Sequence, residues 1–496
     1  MENKFAELYT EEGENLPEIP WNVYPRPQMK RGSFFCLNGK WKLFIDGQEH
    51  DITVPFAPES LLSGVNKRIG RKKEIYYKKK FVLPEGFVRG RVLLHFGAVD
   101  QTARVKFNGK CVGKHTGGYA PFSFDVTALL RSENTLEVFV CDELHTGILP
   151  YGKQCEKRGG MWYTPVTGIW QTVWLESVPE VYISKLKIET GADFADITAF
   201  GVSEGEVTVK TPTGELVCPL EAGRARVQID APELWSPENP YLYEFTVRAG
   251  EDEVSSYFAL RTLEIKEVGG IKRLMLNGKP YFFHGLLDQG YYSDGIFTPA
   301  APGLYEKDVM AMKNLGFNML RKHIKIEPEQ FYYDCDRLGM VVFQDMVNNS
   351  DYSFLRDTAL PTVGIKKMDD RNMHKNPKSR AAFEKAMEET VEGISNHPCI
   401  CCWTIFNEVW GQFESEKMYH KLKALDGTRF IDTASGWFSG AESDVESLHV
   451  YFKPVKMEAG EKPVVLSEFG GYSILNPSVT ERMVCIRLFS CKQKSD

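Results

Sequence analysis

From residue 281 onward, short apolar runs alternate with stretches of helical periodicity, and that alternation leaves few folds open. The runs fall at 281–284, 317–321, 340–344, 400–406, 429–433, 447–450 and 464–467. Between the early ones, residues 303–315, 327–338 and 378–396 carry the spacing of amphipathic helices. Strands that are apolar on both faces and separated by helices form a parallel sheet covered on both sides. When such a sheet closes into a barrel, its chemistry stands at the C-terminal ends of the strands.

The polar residues at those ends are a restricted set: His284, Arg321 and His323, Asp345, Asn407 and Glu408, Trp437, His449 and Tyr451, and Glu468. Asp288 follows the first run a few residues later. Two glutamates at the ends of separate buried strands can face each other across a barrel mouth. Hydrolysis of a glycosidic bond needs such a pair, because one carboxyl protonates the departing oxygen while the other attacks the anomeric carbon or activates a water. An arginine such as Arg321 keeps the attacking carboxylate ionised, and burial beside that negative charge keeps the other protonated. Singly, these residues have blander uses. A strand-end glutamate is commonly a helix N-cap or a solvated charge, and Trp437 or Trp403 is more often core than sugar platform.

Upstream the texture is all-β. Residues 21–179 contain short strands at 91–96, 103–107, 135–140 and 170–175, with Asn108-Gly109 supplying a hairpin turn. This predicts a β-sandwich or jelly roll. Residues 180–262 hold further strands at 181–188, 205–210, 224–229 and 241–249, the size of an immunoglobulin-like sandwich. The expected organisation is therefore a jelly roll over 1–179, an immunoglobulin-like sandwich over 180–264 and a (β/α)8-type TIM barrel over 265–496, three domains for 496 residues.

Composition narrows the partners. A net charge of −7 lacks the basic footprint of a nucleic-acid binder. No run approaches the roughly 20 apolar residues that span a bilayer, and the acidic first 20 residues carry no secretory pattern, so a soluble cytoplasmic protein is expected. The 11 cysteines are odd in number, and Cys399, Cys401 and Cys402 sit inside an apolar run. That suits reduced thiols, and no paired Cys or His completes a zinc site, so neither metal nor other cofactor is expected.

The stretch ending in Trp403-Thr404-Ile405-Phe406-Asn407-Glu408 resembles the acid/base signature of glycoside hydrolase family 2, and Val464-Val465-Leu466-Ser467-Glu468-Phe469-Gly470 resembles its nucleophile segment. Leu276-Asn277-Gly278-Lys279-Pro280 is similar to the family's lead into its barrel, and Leu234-Trp235-Ser236-Pro237-Glu238-Asn239-Pro240 to its immunoglobulin-like domain. Gly168-Ile169-Trp170 and Phe107-Asn108-Gly109 are similar to its sugar-binding-type N-terminal domain. The resemblance implies Glu408 as acid/base, Glu468 as nucleophile and Asn407 as partner of the sugar 2-hydroxyl. Arg321, His323, His449, Tyr451, Trp437 and Asp288 are the expected substrate-binding set. It implies a retaining, exo-acting enzyme on a β-glycoside or oligosaccharide, with β-galactosides first and β-glucuronides or β-mannosides as alternatives, and it leaves room for a homo-oligomer.

Two departures accompany the match. The loop His284-Gly285-Leu286-Leu287-Asp288-Gln289-Gly290 lacks the Arg-His-Glu or Lys-His-Glu run of better-known members, so their substrate contacts do not carry over. Only residues 470–496 follow the seventh run, and those after Tyr472 resemble nothing in the family. The expectation is a barrel lacking its eighth strand, with little turnover. The alternatives are a short substitute strand at 484–489, or a carbohydrate-binding remnant of a lost enzyme.

Overall fold

The computed structural model describes residues 7–144, 147–360, 369–436, 442–451 and 454–470. Strands with alternating polarity build its first domain. Asn134–Cys141 buries Leu136, Val138 and Val140 on one face and turns Thr135, Glu137 and Phe139 to the other, the period of a half-buried antiparallel strand. It pairs with Glu74–Phe81 and Thr102–Phe107 in a six-stranded antiparallel sheet that also holds Gly39–Ile45, Gln48–Val54 and Lys110–Thr116. A four-stranded sheet of Phe35–Cys36, Val173–Val178, Arg91–Phe96 and Phe122–Asp125 shares its core, in which Leu43, Tyr77 and Val105 of the first sheet meet Val92, Leu94 and Leu175 of the second. Asn108 and Gly109 make the expected turn with φ of +50° and +82°.

Seven antiparallel strands between Lys185 and Phe258 form the second sandwich around Ile197, Val207, Phe245 and Phe258. A small sheet of Leu263–Val268, Ile271–Leu276 and Lys279–Pro280 then leads to the barrel.

Five parallel barrel strands are hydrogen-bonded in chain order: Gly285–Asp288, Met319–Lys322, Val341–Asp345, Ile400–Asn407 and Phe430–Ser435. The sixth and seventh, Glu446–Val450 and Val464–Phe469, pair with each other in parallel. Helices Gly303–Asn314, Glu329–Leu338, Pro377–Ile394 and Ser415–Leu425 cover the outside. Pro377 opens its helix at a position whose N–H needs no partner, behind an Asn376 side chain that accepts from Lys378 N. Among the described residues the first, fifth, sixth and seventh strands are each laddered on one side only. The expected missing eighth strand and its substitute at 484–489 lie outside the described residues.

One expected strand is displaced. Residues 281–284 are not the first barrel strand, which begins at Gly285. The Asn318 amide takes the ladder's place there, donating to Phe282 O at 3.0 Å and accepting from His284 N at 2.9 Å. Phe282 is consequently exposed.

The three domains share apolar material. Trp21, Trp170 and Trp235, all from the sandwiches, belong to the same buried cluster as the barrel's Trp403, Phe331 and Ile400. Trp21 Nε1 donates to Pro299 O at 2.8 Å and Trp235 Nε1 to Asp336 O at 2.7 Å, so each indole satisfies its polar atom across a domain boundary.

Candidate active site

The fourth barrel strand is buried along its whole length and ends at Asn407. The next two residues, Glu408 and Val409, take φ of +51° and +69°, a conformation L-residues adopt only when their surroundings hold them. Glu408 N still donates to Ser435 O at 2.9 Å, so this turn is stitched to the fifth strand while the side chain leaves the wall for the mouth. Glu468 arrives on the seventh strand in register with His449 of the sixth.

Arg321 organises the floor between them. Its Nε donates to Asp345 Oδ1 at 2.9 Å, Nη1 to Glu468 Oε1 at 3.0 Å and Nη2 to Asn407 Oδ1 at 2.9 Å. The last bond fixes the Asn407 amide with its NH2 turned away from the guanidinium. Asp345 also accepts from His323 Nδ1 at 2.7 Å, and Tyr451 donates its hydroxyl to Glu468 Oε2. His449 spans the pair, with Nδ1 at 2.8 Å from Glu408 Oε1 and Nε2 at 3.7 Å from Glu468 Oε1. An oxygen of Glu408, one of Glu468 and a ring nitrogen of His449 all lie within 4.8 Å of one another. Those three atoms have the spacing of metal ligands, but each already has a partner in His449, Arg321 or Tyr451, which suits proton traffic as well as coordination.

The two glutamates sit in different fields. Burial works against ionisation of Glu468, but the charges of His449, Arg321, His323 and Lys153 outweigh it and hold the carboxyl well below the usual range. For Asp345 too, Arg321 and His323 overcome burial and lower the pKa. Burial and the Glu468 and Glu408 charges push the Tyr451 phenol up, so it stays a donor. Glu408 is more exposed than Glu468, its side chain 28% accessible against 9%.

The structure therefore brings together Glu408, Glu468, Asn407, Arg321, His323, His449 and Tyr451. Asp288 stands apart, its carboxylate bound to Lys322 Nζ at 2.7 Å in a cluster with Glu327 and Lys325. Trp437 lies outside the described residues. Asp345 stood in the strand-end set without a role, and the structure makes it the anchor of Arg321. The barrel pattern had no means of finding Lys153 and Trp162, because both come from the N-terminal domain. Trp162 packs edge-on against Tyr352 and Trp410 at 5.3 and 5.4 Å and forms an aromatic wall beside the Glu408 turn. A cavity of about 340 Å³, lined by Trp21, Arg26, Trp174 and Glu329, lies away from the mouth at the domain interface.

A carboxylate pair at the mouth of a parallel barrel, one member clamped by arginine, is the equipment of glycoside hydrolases. Three domain models of one family match in order: the galactose-binding domain-like region of glycosyl hydrolase 2 over residues 58–171, glycosyl hydrolases family 2 over 179–261, and the glycosyl hydrolases family 2 TIM barrel domain over 266–476. The chain belongs to glycoside hydrolase family 2. It is 25% identical to a β-galactosidase of Thermoanaerobacter pseudethanolicus, over 80% of this chain and 54% of that protein, and 26% identical to a β-glucuronidase of Chlorocebus aethiops, over 72% and 58%. The chain thus spans little more than half the length of these curated relatives. Its fold is similar to that of a β-D-glucuronidase from Dictyoglomus thermophilum, with a TM-score of 0.72 at 20% identity, covering 91% of this chain and 85% of that one. It is also similar to a β-galacturonidase from Eisenbergiella tayi bound to galacturonate, with a TM-score of 0.68 at 21% identity, covering 92% and 85%. Among the described residues no helix is long and apolar enough to cross a membrane.

Proposed function

We propose that this chain carries the active site of a retaining exo-β-glycosidase. The observation that carries the reading is the carboxylate pair, with oxygens within 4.8 Å and only Glu468 clamped by Arg321. Retaining enzymes hold their carboxyl groups about 5 to 5.5 Å apart, and inverting ones leave a wider gap for water. Glu468, ionised and aimed by Arg321 and Tyr451, attacks the anomeric carbon. Glu408 delivers a proton to the leaving oxygen as that bond breaks, and the proton shared with His449 Nδ1 is the nearest reserve. Water then attacks the glycosyl-enzyme ester, giving its proton to Glu408 and freeing Glu468. The Asn407 amide, oriented by Arg321, donates to the sugar 2-hydroxyl. The names of the relatives support β-linked galactosides or uronides as the substrate class.

A 2-fluoro aryl β-glycoside tests this reading. Mass spectrometry of the labelled protein places the sugar on Glu468, and a label on any other residue moves the nucleophile.

A further inference from the structure

Lys153 belongs to the N-terminal domain, yet it stands at the barrel mouth. The backbone on either side fixes it there. Tyr151 N and Gly152 N both donate to Asn348 O, at 3.0 and 3.2 Å, beyond the end of the third barrel strand. Gly152 takes φ of +61°, and a Cβ on it would lie 3.0 Å from Ile324 O, just beyond the strand that carries Arg321 and next to His323. Glycine makes that approach without strain, whereas a side chain there would crowd Ile324 O. Lys153 O accepts from Tyr163 N at 2.8 Å, which closes the loop whose Trp162 packs on Trp410.

The side chain so placed is half-buried, and its ammonium interacts with the charges of Glu468, Glu408, Arg321 and Asp345. Among the described residues, no hydrogen bond or ion pair satisfies it. Arg321, by contrast, is committed to three acceptors. A lysine ammonium carries three donors, and here no protein group takes them, so they are left to solvent or to a ligand. A ligand that brings an acceptor into the mouth gains a charge-assisted hydrogen bond there, and one without it does not.

Resting on the β-glycosidase reading above, we propose that Lys153 is a substrate-binding residue that donates to an oxygen of the glycone, so that the N-terminal domain selects the sugar the barrel cleaves. The acceptor is a ring hydroxyl or the carboxylate of a uronic acid, which present the same chemistry to the ammonium.

The full chain and its Lys153→Met and Lys153→Arg variants are titrated calorimetrically with isofagomine and with its carboxylate-bearing uronic form. Lys153→Met is expected to weaken binding about 10- to 100-fold, the size of one hydrogen bond to a charged group, with Lys153→Arg recovering part of the loss. A loss confined to the uronic probe supports the proposal and assigns a carboxylate. An equal loss on both probes with an unchanged melting temperature supports it and assigns a hydroxyl. Unchanged affinity for both probes overturns it, as does an equal loss with a lowered melting temperature, which makes Lys153 a strut between domains. If the unaltered chain binds neither probe, the glycosidase reading itself fails and takes this proposal with it.

Discussion

At the scale of single residues, the site depends on Arg321 more than on either glutamate. It is buried, and its three bonds reach the nucleophile candidate, the Asn407 amide proposed to meet the sugar and the aspartate that anchors it. Arg321→Met takes the guanidinium from two buried carboxylates, Asp345 and Glu468, and removing one partner of a buried ion pair costs about 3 to 5 kcal/mol in other proteins. We expect kcat/KM to fall at least about a hundred- to a thousandfold, with a lowered melting temperature, read by steady-state kinetics and thermal unfolding. Glu468 also sets a pH expectation. Its carboxyl lies below the ordinary 4.5, so it is already ionised above that value. The stability it contributes is present above pH 4.5 and is lost only as pH falls through the depressed value. Labelling by a 2-fluoroglycoside should therefore hold its rate from about pH 7 down to about pH 5. A rate that halves near pH 6 would mean that the clamp by Arg321 is not made in solution.

Among elements, the barrel strands were legible because they are apolar on both faces and end in polar side chains. The pairing of Glu408 with Glu468 followed from that pattern. The sandwich strands were harder. Glu74–Phe81 reads as a basic segment, with Lys78, Lys79 and Lys80 in a row, and only pairing on both edges makes it a central strand. Lys153 was not legible at all, since no local pattern shows which domain its loop will reach. The turn after the fifth strand carries a sharper expectation. Gly436 takes φ of +95°, and a Cβ on it would lie 2.4 Å from His449 Nδ1, the nitrogen that meets Glu408. Gly436→Ala forces His449 to move and strains the backbone. We expect turnover to drop at least about tenfold while the circular dichroism spectrum is unchanged, because the damage falls on proton transfer and leaves the core intact. Unaltered kinetics would remove His449 from the proton path.

At the scale of the whole molecule, pH response and cohesion both follow from burial. Burial raises Glu59 from 4.5 to about 8 and Asp142 from 3.8 to about 7. The folded chain therefore holds protons between those limits that the unfolded chain releases, and stability falls as pH rises from about 4.5 to about 8. We expect the melting temperature to be several degrees higher at pH 5.5 than at pH 8, with Glu59→Gln flattening the difference. The common apolar cluster around Trp21, Trp170, Trp235 and Trp403 has a separate consequence. Three folds drawn on one chain should melt as one, giving a single calorimetric transition. The cluster also constrains how such a chain can be recombined. A chimaera that grafts the two sandwiches of a relative onto this barrel would cut through the cluster, and its crossover would succeed only if the donor brought indoles able to reach Pro299 O and Asp336 O. The interchangeable part is then a patch of tryptophans rather than a domain.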